Sequence, residues 1–454
     1  MIFPKSVESV DFLLEEVVTE RDYDVDLTID RLGEATVSSP MRLARFTPDD
    51  ERVICDTNPA EIHRDLAAGR EPPSFESAGP RERLFFNPTH VRAGIVTCGG
   101  VCPGINDVIR AIVLSLHHHY SVATIFGFRF GYEGLVASYG HEPMMLTPEN
   151  VESIGEMGGT ILGTSRGNQD VSPMVDTLDQ RGVSLLFTIG GDGTQRGAAA
   201  IAAEIGRRGL PIAVVGIPKT IDNDISLIER SFGFVTATAE ARRAVQAAHN
   251  EAIAVRNGIG LVKLMGRESG FIAAYSALAD SQVNFCLVPE SPFKMEALLP
   301  ALEERLRERG HAVIAVAEGA GQDLVGREGE RDASGNVKFG DIGLYLKAAI
   351  KEYFARADMP ISMKYIDPSY IIRSLPANAY DSAYCLLLGF NAVHAAMSGR
   401  TNMLVGYWNN QYTHVPIPAA VRRRKRIDPD DWLWTTVLLA TGQPRDLSKT
   451  SGVF

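Results

Sequence analysis

The chain of 454 residues lacks the sequence features of membrane and secreted proteins. It has no uninterrupted apolar run of about 18 residues, the length that a membrane-spanning helix needs. Its five cysteines are few, scattered and odd in number, which argues against the disulfide framework of an extracellular domain. The first residues, Met-Ile-Phe-Pro-Lys-Ser-Val-Glu, also lack the apolar core of a signal peptide. We therefore expect a cytoplasmic protein that has no membrane partner.

Positive charge is also scarce, since 45 Lys and Arg face 56 Asp and Glu and the net charge is -11. A nucleic-acid-binding protein normally carries a basic surface, so this balance argues against nucleic acid as the main partner. Local clusters of basic side chains can still bind a small anionic substrate. The composition, 45% apolar and 22% charged, is typical of a globular protein, and the length predicts about two or three domains.

Two glycine-rich loops are present, although the standard nucleotide-binding motifs are missing. Residues 94–106 read Gly-Ile-Val-Thr-Cys-Gly-Gly-Val-Cys-Pro-Gly-Ile-Asn, and residues 189–194 read Ile-Gly-Gly-Asp-Gly-Thr. Neither contains the Gly-Lys-Ser/Thr of a P-loop or the Gly-x-Gly-x-x-Gly of a dinucleotide site. Glycine lets the backbone approach a phosphate, and the N-terminus of a following helix attracts it. Either loop alone could also be an ordinary turn between strand and helix. Cys98 and Cys102 lack the two further ligands of a zinc site.

Short β-branched runs alternate with helical patterns from Val91 onwards, which predicts a parallel α/β architecture. We predict two lobes, each a Rossmann-like α/β/α sandwich on a parallel sheet. Ligands of such sheets bind at the carboxyl ends of the strands, where both glycine loops fall. The proline-rich first 90 residues predict an extension that is wrapped on the core or partly mobile, and residues 325–340 predict a surface loop. The predicted strands are residues 91–97, 184–189, 212–217, 260–264, 285–288 and 312–316.

Residues 220–224, Thr-Ile-Asp-Asn-Asp, follow the third predicted strand and indicate phosphoryl transfer. This chemistry needs a base for the acceptor hydroxyl, a divalent cation, and positive charge beside the donor phosphates. Asp222 and Asp224 can divide the first two roles, and Asp192 and Lys219 lie in the neighbouring motifs. Two acids at this spacing also occur on many solvated loops, so the interpretation depends on those neighbours. Together these motifs suggest a kinase.

Four motifs in this order resemble the signatures of the 6-phosphofructokinase family: residues 97–100, 190–194, 218–224 and 265–267. Glu318 and residues 370–373 stand where that family contacts fructose 6-phosphate. The similarity covers about residues 91–400. Residues 78–82 and the segment from 415 to 443 resemble more specifically the long-chain branch found in plants, protists and some bacteria. The resemblance implies the phosphofructokinase fold.

The resemblance also implies a role for individual residues. Asp222 would take the proton from the sugar 1-hydroxyl, and Thr220 and Lys219 would lie at the transferred phosphoryl group. Asp192 and Asp224 would hold Mg²⁺. The residues expected to bind the nucleotide are Gly99, Arg166, Gly191, Asp192, Gly193 and Thr194. The residues expected to bind the sugar phosphate are Thr220, Asp222, Met265, Gly266, Arg267, Glu318, Lys364, Tyr370 and Arg373.

Two positions bear on the phosphoryl donor. At the position of Lys219, the pyrophosphate-using members that this chain resembles also have lysine. At the position of Gly193, those members usually have Asp, so glycine there is typical of ATP users. Glycine and lysine together resemble the ATP-using members of the long-chain branch. We therefore expect ATP-dependent phosphorylation of D-fructose 6-phosphate to fructose 1,6-bisphosphate in glycolysis. The alternatives are a pyrophosphate-dependent phosphotransferase and a catalytically silent nucleotide-binding regulatory subunit.

The resemblance further suggests an organisation of the whole chain. Residues 1–90 would be an N-terminal extension. The nucleotide-binding lobe would be residues 91–234 with part of 375–425, and the sugar-phosphate-binding lobe would be residues 235–374 with 426–454. The protein would be an allosteric homo-oligomer, a dimer or tetramer, in which Lys364 reaches a neighbour's sugar-phosphate site. The basic run at residues 422–426 predicts a solvated or intersubunit charge cluster.

Overall fold

The computed structural model describes residues 23–325 and 339–449. The parts of the predicted extension, surface loop and C-terminal segment at residues 1–22, 326–338 and 450–454 lie outside the described residues. No helix within the two described ranges is long and apolar enough to cross a bilayer. The strands are β1 (Asp30–Arg31), β2 (Val37–Ser38), β3 (Arg52–Ile54), β4 (Ser74–Ser77), β5 (Arg83–Leu84), β6 (Arg92–Thr97), β7 (Thr124–Phe128), β8 (Met144–Met145), β9 (Leu185–Gly190), β10 (Ala213–Pro218), β11 (Gly258–Leu264), β12 (Phe285–Leu287), β13 (His311–Ala317), β14 (Ser362–Ile366), β15 (Arg400–Thr401), β16 (Met403–Trp408) and β17 (Gln411–Pro416). The α-helices are α1 (Pro59–Ala67), α2 (Ile105–Tyr120), α3 (Val171–Gln180), α4 (Asp192–Arg208), α5 (Phe234–Ile253), α6 (Phe271–Ala279), α7 (Met295–Arg309), α8 (Gln322–Val325), α9 (Ile342–Arg356), α10 (Ser369–Arg373), α11 (Ala379–Met397), α12 (Ile417–Ala420) and α13 (Trp432–Thr441).

The larger sheet has the strand order β3-β4-β17-β16-β10-β9-β6-β7-β8. Its five central strands, from β16 to β7, run parallel, and the outer pairings are antiparallel. β9 and β10 are buried along their whole length, as strands covered on both faces should be. Thr97 pairs with Ile189, and Gly190 pairs with Pro218, so the carboxyl ends of β6, β9 and β10 lie side by side.

The second sheet has the order β12-β13-β11-β14, and all its strands run parallel. All six predicted strands are present, and the parallel centre of the larger sheet together with the parallel smaller sheet confirms the predicted α/β fold class. One buried core connects the sheets, because it includes Ile189 and Ile217 of the larger sheet and Val262 and Val313 of the smaller one. The two sheets therefore share a core. The strand ends of β6, β9 and β10 belong to one sheet, and those of β11 and β13 belong to the other.

The described part of the N-terminal segment packs on the core through strand pairing and buried charge. β4 pairs with β17 in the larger sheet, and β1 pairs with β15. Glu76 on β4 pairs with Arg81 at 3.2 Å, with His414 at 2.9 Å and with Arg400. All four side chains are buried, and Glu76 shares the role of counter-charge for the two guanidinium groups with the more exposed Asp49. The segment thus depends on the larger sheet for its position.

Candidate active site

Three loops meet at the carboxyl ends of β6, β9 and β10. The backbone N–H of Cys98, which begins the loop to α2, donates a 3.0 Å hydrogen bond to the carbonyl of Ile189. The backbone N–H of Lys219 donates at 3.0 Å to the carbonyl of Gly190. Gly191 caps the N-terminus of α4 between these two bonds. The two glycine-rich loops and the acidic motif are therefore parts of one edge of the sheet.

The glycines at this edge differ in what the protein requires of them. Gly99 has φ of +84°, a left-handed conformation that favours glycine. Its N–H donates to the carbonyl of Ser165 at 3.1 Å, and its own carbonyl accepts the Thr164 hydroxyl at 2.6 Å. Gly193, the second residue of α4, faces open space, because a Cβ there would meet no atom within 4 Å. The left-handed backbone conformation explains Gly99, whereas Gly193 leaves room for something outside the chain.

Three basic side chains converge on the loop at Gly100. Lys219 is buried, and its ammonium donates a 2.6 Å hydrogen bond to the Gly100 carbonyl. A Cβ at Gly100 would lie 3.4 Å from a guanidinium nitrogen of Arg373 and 3.6 Å from one of Arg166. Burial lowers the pKa of Lys219, and Arg166 and Arg373 lower it further. Such a cluster, beside glycine backbone and the N-terminus of α4, is suited to a polyanion such as a phosphate chain.

The acidic motif is held in a fixed turn by its own side chains. The Thr220 hydroxyl donates to Oδ1 of Asp224 at 2.9 Å and accepts the backbone N–H of Asp222 at 3.1 Å. Asn223, at φ of +54°, accepts the N–H of Ser231 through its side-chain oxygen at 3.0 Å. The turn therefore presents Asp222 and Asp224 with defined orientations.

Asp222 has the environment of a proton acceptor rather than of an ion-pair partner. Burial, followed by the nearby charges of Asp224 and Glu318, raises the pKa of Asp222 to about 8, although the backbone N–H of Arg267 opposes the shift. Its Oδ1 is buried and has no hydrogen-bond partner among the described residues. A buried acceptor without a partner is costly unless a ligand supplies the donor. The geometry therefore fits a hydroxyl-bearing substrate at Asp222.

The acceptor side of the site comes from the loops after β11 and β13. Gly266 has φ of +129°, and the N–H of Gly319 donates to its carbonyl at 3.0 Å, so the two loops are tied together. The charges of Arg267 and Arg373 both act on Glu318, although burial dominates and raises the pKa of that carboxyl. The structure therefore brings these three side chains near one another. Met265, which precedes the glycine, is half-buried and packs against the core.

The remaining predicted substrate contacts are less uniform. Tyr370 is 76% exposed and lies under the Arg373 guanidinium, 4.8 Å from ring centroid to Cζ. Lys364 is half-exposed, and its ammonium lies 3.5 Å from Glu251 of α5. Thr194 is buried against Gly190, and its carbonyl accepts the Tyr132 hydroxyl at 2.6 Å.

Asp192 and Asp224 were predicted to hold Mg²⁺, and their donor set is consistent with that ion. Within residues 23–325 and 339–449, no group of three or more His, Cys, Asp or Glu side chains is arranged to hold a metal. Magnesium in phosphoryl-transfer sites commonly keeps several waters and uses only one or two carboxylates with the substrate phosphates. The two acids are bridged by Arg424, whose nitrogens lie 3.9 Å from Asp192 and 3.8 Å from Asp224. Asp192 and Asp224 therefore lie close enough for one guanidinium to approach both carboxylates.

The prediction for the basic run at residues 422–426 was wrong for two of its members. Lys425 is packed inward: its ammonium donates to the carbonyls of Ile228 at 2.7 Å and Glu229 at 2.9 Å, and burial lowers its pKa to about 7. Arg424 contacts the acids of the candidate metal site. The sequence places this run some 200 residues from those acids, and the antiparallel bridge between Ile225 and Arg424 helps to bring them together. The run is followed by acids in the sequence, and this local pattern does not indicate that Arg424 contacts Asp192 and Asp224.

Comparisons with known proteins agree with this geometry. The family described as Phosphofructokinase matches residues 92–396. The chain is 47% identical to an ATP-dependent 6-phosphofructokinase of Borreliella burgdorferi, over 93% of this chain and 98% of that protein. It is 48% identical to ATP-dependent 6-phosphofructokinase 7 of Arabidopsis thaliana, over 84% of this chain and 79% of that protein. A crystal structure of pyrophosphate-dependent phosphofructokinase from Marinobacter aquaeolei superposes with a TM-score of 0.64 at 20% identity, covering 74% of this chain and 86% of that one. The last likeness concerns the fold alone.

Proposed function

The chain belongs to the phosphofructokinase family, and we propose that it is the enzyme that transfers the γ-phosphoryl group of ATP to D-fructose 6-phosphate, giving fructose 1,6-bisphosphate in glycolysis. The observation that carries this proposal is the 47% identity to an ATP-dependent 6-phosphofructokinase over 93% of the chain. The open space at Gly193 supports the same donor, whereas the Lys219 cluster suits the phosphates of either ATP or pyrophosphate. We further propose a cytoplasmic homo-oligomer, a dimer or tetramer under allosteric control, in which Lys364 reaches the neighbouring sugar-phosphate site.

The proposed mechanism is an in-line transfer in which Asp222 acts as the general base. Its Oδ1 would accept the proton of the sugar 1-hydroxyl, since this oxygen is buried and has no partner among the described residues. A pKa raised by burial and by Asp224 and Glu318 makes the ionised carboxylate a stronger proton acceptor than an ordinary aspartate. Thr220 would hold the turn in register and contact the transferred group.

Charge on the donor would be offset mainly by the chain's own cations and backbone. Lys219 would meet the phosphoryl oxygens, and Gly99, Arg166, Gly191, Gly193 and Thr194 would line the nucleotide at the N-terminus of α4. Asp192 and Asp224 would hold Mg²⁺, which supplies a divalent charge beside the donor phosphates. These preorganised groups would act where negative charge spreads during transfer.

The sugar phosphate would bind beside Asp222 where the loops after β11 and β13 meet, and Arg373 would lie between it and the basic cluster at Gly100. Met265, Gly266, Arg267, Glu318, Tyr370 and Arg373 would surround it, with Lys364 from a neighbouring subunit. Arginine suits this role because its planar fork matches phosphate oxygens, and the buried Nε of Arg373 has no hydrogen-bond partner in the described part of the chain. We assign the nucleotide-binding lobe to residues 91–234 with part of 375–425, and the sugar-phosphate-binding lobe to residues 235–374 with 426–454.

The proposal is tested by product identification with the purified chain. Fructose 6-phosphate, ATP and Mg²⁺ are incubated with the protein, and ³¹P NMR follows the phosphate resonances. We expect ADP and a new sugar phosphate ester at the 1-position to appear together. A protein that binds ATP but forms no ester would instead be the silent regulatory subunit that intact acids at positions 192, 222 and 224 argue against.

A further inference from the structure

Residues 421–427, here called the strap, cross the edge of the site that carries the proposed metal ligands. The backbone N–H of Lys425 donates to the carbonyl of Asp224 at 2.9 Å, and Arg424 forms an antiparallel bridge with Ile225. At its far end, the N–H of Ile427 donates to Glu290 at 3.0 Å. The backbone of the strap is therefore fixed to the same turn that carries Asp224.

Arg424 is the strap residue whose charge lies between the two proposed metal ligands. Its guanidinium nitrogens lie 3.9 Å from Asp192 and 3.8 Å from Asp224. Both separations exceed a hydrogen bond, so the attraction is mainly electrostatic. Only 30% of the Arg424 side chain is exposed, whereas the Asp192 and Asp224 side chains are 16% and 11% exposed. The contact is therefore less screened than a pair on an open surface.

Among the described residues, Arg424 differs from the other partners of the two acids, because each of those contacts only one acid. Arg196 pairs with Asp192 at 3.1 Å along α4, and this pair does not include Asp224. Asp224 also accepts the Thr220 hydroxyl, a neutral donor. Arg424 thus places a single positive charge near both acids. Because the backbone of Arg424 is bonded to the turn that carries Asp224, its guanidinium stays close to the two acids.

We propose that Arg424 is a resident counter-ion of Asp192 and Asp224, a positioning residue that competes with the divalent cation for both carboxylates. This inference rests on the proposed metal site. In the absence of nucleotide, the guanidinium offsets the repulsion between the acids and lowers their affinity for free metal ion. When metal and nucleotide arrive together, the displaced guanidinium is beside the donor phosphates, whose oxygens can take its N–H groups. As a result, the protein binds the metal ion tightly only when the nucleotide is also bound.

The test is a titration of the purified full chain with Mn²⁺, an ion that accepts the same oxygen ligands as Mg²⁺, followed by the EPR signal of free Mn²⁺ without nucleotide. The proposal predicts that Arg424→Gln binds Mn²⁺ roughly 5-fold or more tightly than wild type, on the scale of one partly exposed charge contact. Arg424→Met, which keeps the length of the side chain, should give the same gain. Arg423→Gln removes an equal charge from an exposed neighbour in the strap and should leave the affinity nearly unchanged.

The outcomes separate this inference from the proposed function. Unchanged or weaker Mn²⁺ binding in both Arg424 variants would overturn it, including the case in which neither wild type nor variants bind the ion. A general loss of structure would weaken binding, so tighter binding cannot come from misfolding. Turnover of fructose 6-phosphate with ATP is measured on the same wild-type sample. If the wild type turns over fructose 6-phosphate with ATP but the variants bind Mn²⁺ as the wild type does, the proposed kinase function holds and only the counter-ion role of Arg424 is wrong.

Discussion

The Thr220 hydroxyl donates a 2.9 Å hydrogen bond to Oδ1 of Asp224, and the same hydroxyl accepts the backbone N–H of Asp222 at 3.1 Å. One threonine thereby orients both acids of the motif. Asp224 is partnered by that hydroxyl and approached by Arg424, whereas Oδ1 of Asp222 is buried without a partner among the described residues. This asymmetry supports different roles for two acids that their spacing in the sequence does not distinguish. Asp224 suits a metal ligand, and Asp222 suits a base.

Replacement of Asp222 by Asn should leave the fold intact and lower turnover by roughly 10²–10⁴-fold, the contribution of a positioned general base. The amide has nearly the same shape but cannot take the hydroxyl proton. Circular dichroism checks the fold, and steady-state kinetics should show a much smaller change in KM for fructose 6-phosphate than in kcat. Asp430→Asn, at an exposed site, is the matched control. Retention of more than about a tenth of wild-type turnover would remove Asp222 from the base role.

Replacement of Arg267 by Ala should raise KM for fructose 6-phosphate by roughly 10-fold or more, the scale of a lost charged hydrogen bond. Its charge acts on Glu318, and its backbone N–H acts on Asp222, so it lies on the acceptor side of the base. Binding of ATP, measured by calorimetry, should change little. Arg309→Ala, on the exposed end of α7, should alter neither. Weakened ATP binding with an unchanged sugar-phosphate KM would show that the two subsites are assigned the wrong way round.

Replacement of Gly193 by Asp should weaken ATP use by roughly 10-fold or more, because the new carboxylate would stand beside a polyanion. The protein itself should tolerate the side chain, since a Cβ at this position meets no atom within 4 Å and φ is not in the left-handed range. The measurement is KM for ATP together with the thermal midpoint.

Gly206→Asp provides the control for that variant within the same helix. Its Cβ would also meet no atom within 4 Å, but it lies near the C-terminal end of α4. We expect a small loss of stability there, because a negative charge is unfavourable at a helix C-terminus, and no change in ATP use. Equal effects of the two substitutions on ATP kinetics would mean that Gly193 does not face the nucleotide.

Replacement of Glu76 by Gln should lower the free energy of unfolding by about 3 kcal/mol, since it leaves buried guanidinium groups of Arg81 and Arg400 with less counter-charge. Burial opposes ionisation of Glu76, but His414 and Arg400 prevail and hold its pKa well below the ordinary value. The stabilisation is therefore complete above the unfolded pKa of about 4.3 and is lost as the pH falls below it.

Urea unfolding at pH 7 and at lower pH measures this contribution. The difference between wild type and Glu76→Gln should shrink under acidic conditions, while exposed Glu82→Gln should resemble wild type at every pH. A Glu76 variant as stable as wild type at pH 7 would mean that the N-terminal segment is held to the larger sheet by other contacts.

The sequence was most informative where local pattern and chemistry coincide. Apolar β-branched runs followed by glycine predicted β6 and β9 and the edge at which their loops meet, because buried parallel strands leave a strong local signal. The other eleven strands of the described residues, β1–β5, β7, β8 and β14–β17, were not predicted. β17 is antiparallel, and β4 pairs with it across more than 300 residues of sequence, a relationship that no local periodicity reports.

The parts of the site that sequence reasoning missed are all long-range contacts. Lys425 resembles any other member of a basic run, yet it is half-buried and its backbone N–H donates to the carbonyl of Asp224. Lys263 on β11 gave no motif, although its ammonium lies 2.9 Å from Asp341 and 2.8 Å from Asp367 near the Glu318 cluster. Both are charges whose partners come from distant segments, so their roles follow from topology rather than from spacing.

The donor comparison tests the central claim most directly. Initial rates are measured with wild-type protein, fructose 6-phosphate and Mg²⁺, with ATP in one series and pyrophosphate in the other at matched concentrations. We predict ATP-dependent formation of fructose 1,6-bisphosphate well above any pyrophosphate-dependent rate, because Gly193 leaves room beside the Lys219 cluster for the rest of a nucleotide. Turnover with pyrophosphate and none with ATP would contradict the assignment of the donor, while leaving the fold and the sugar-phosphate acceptor in place.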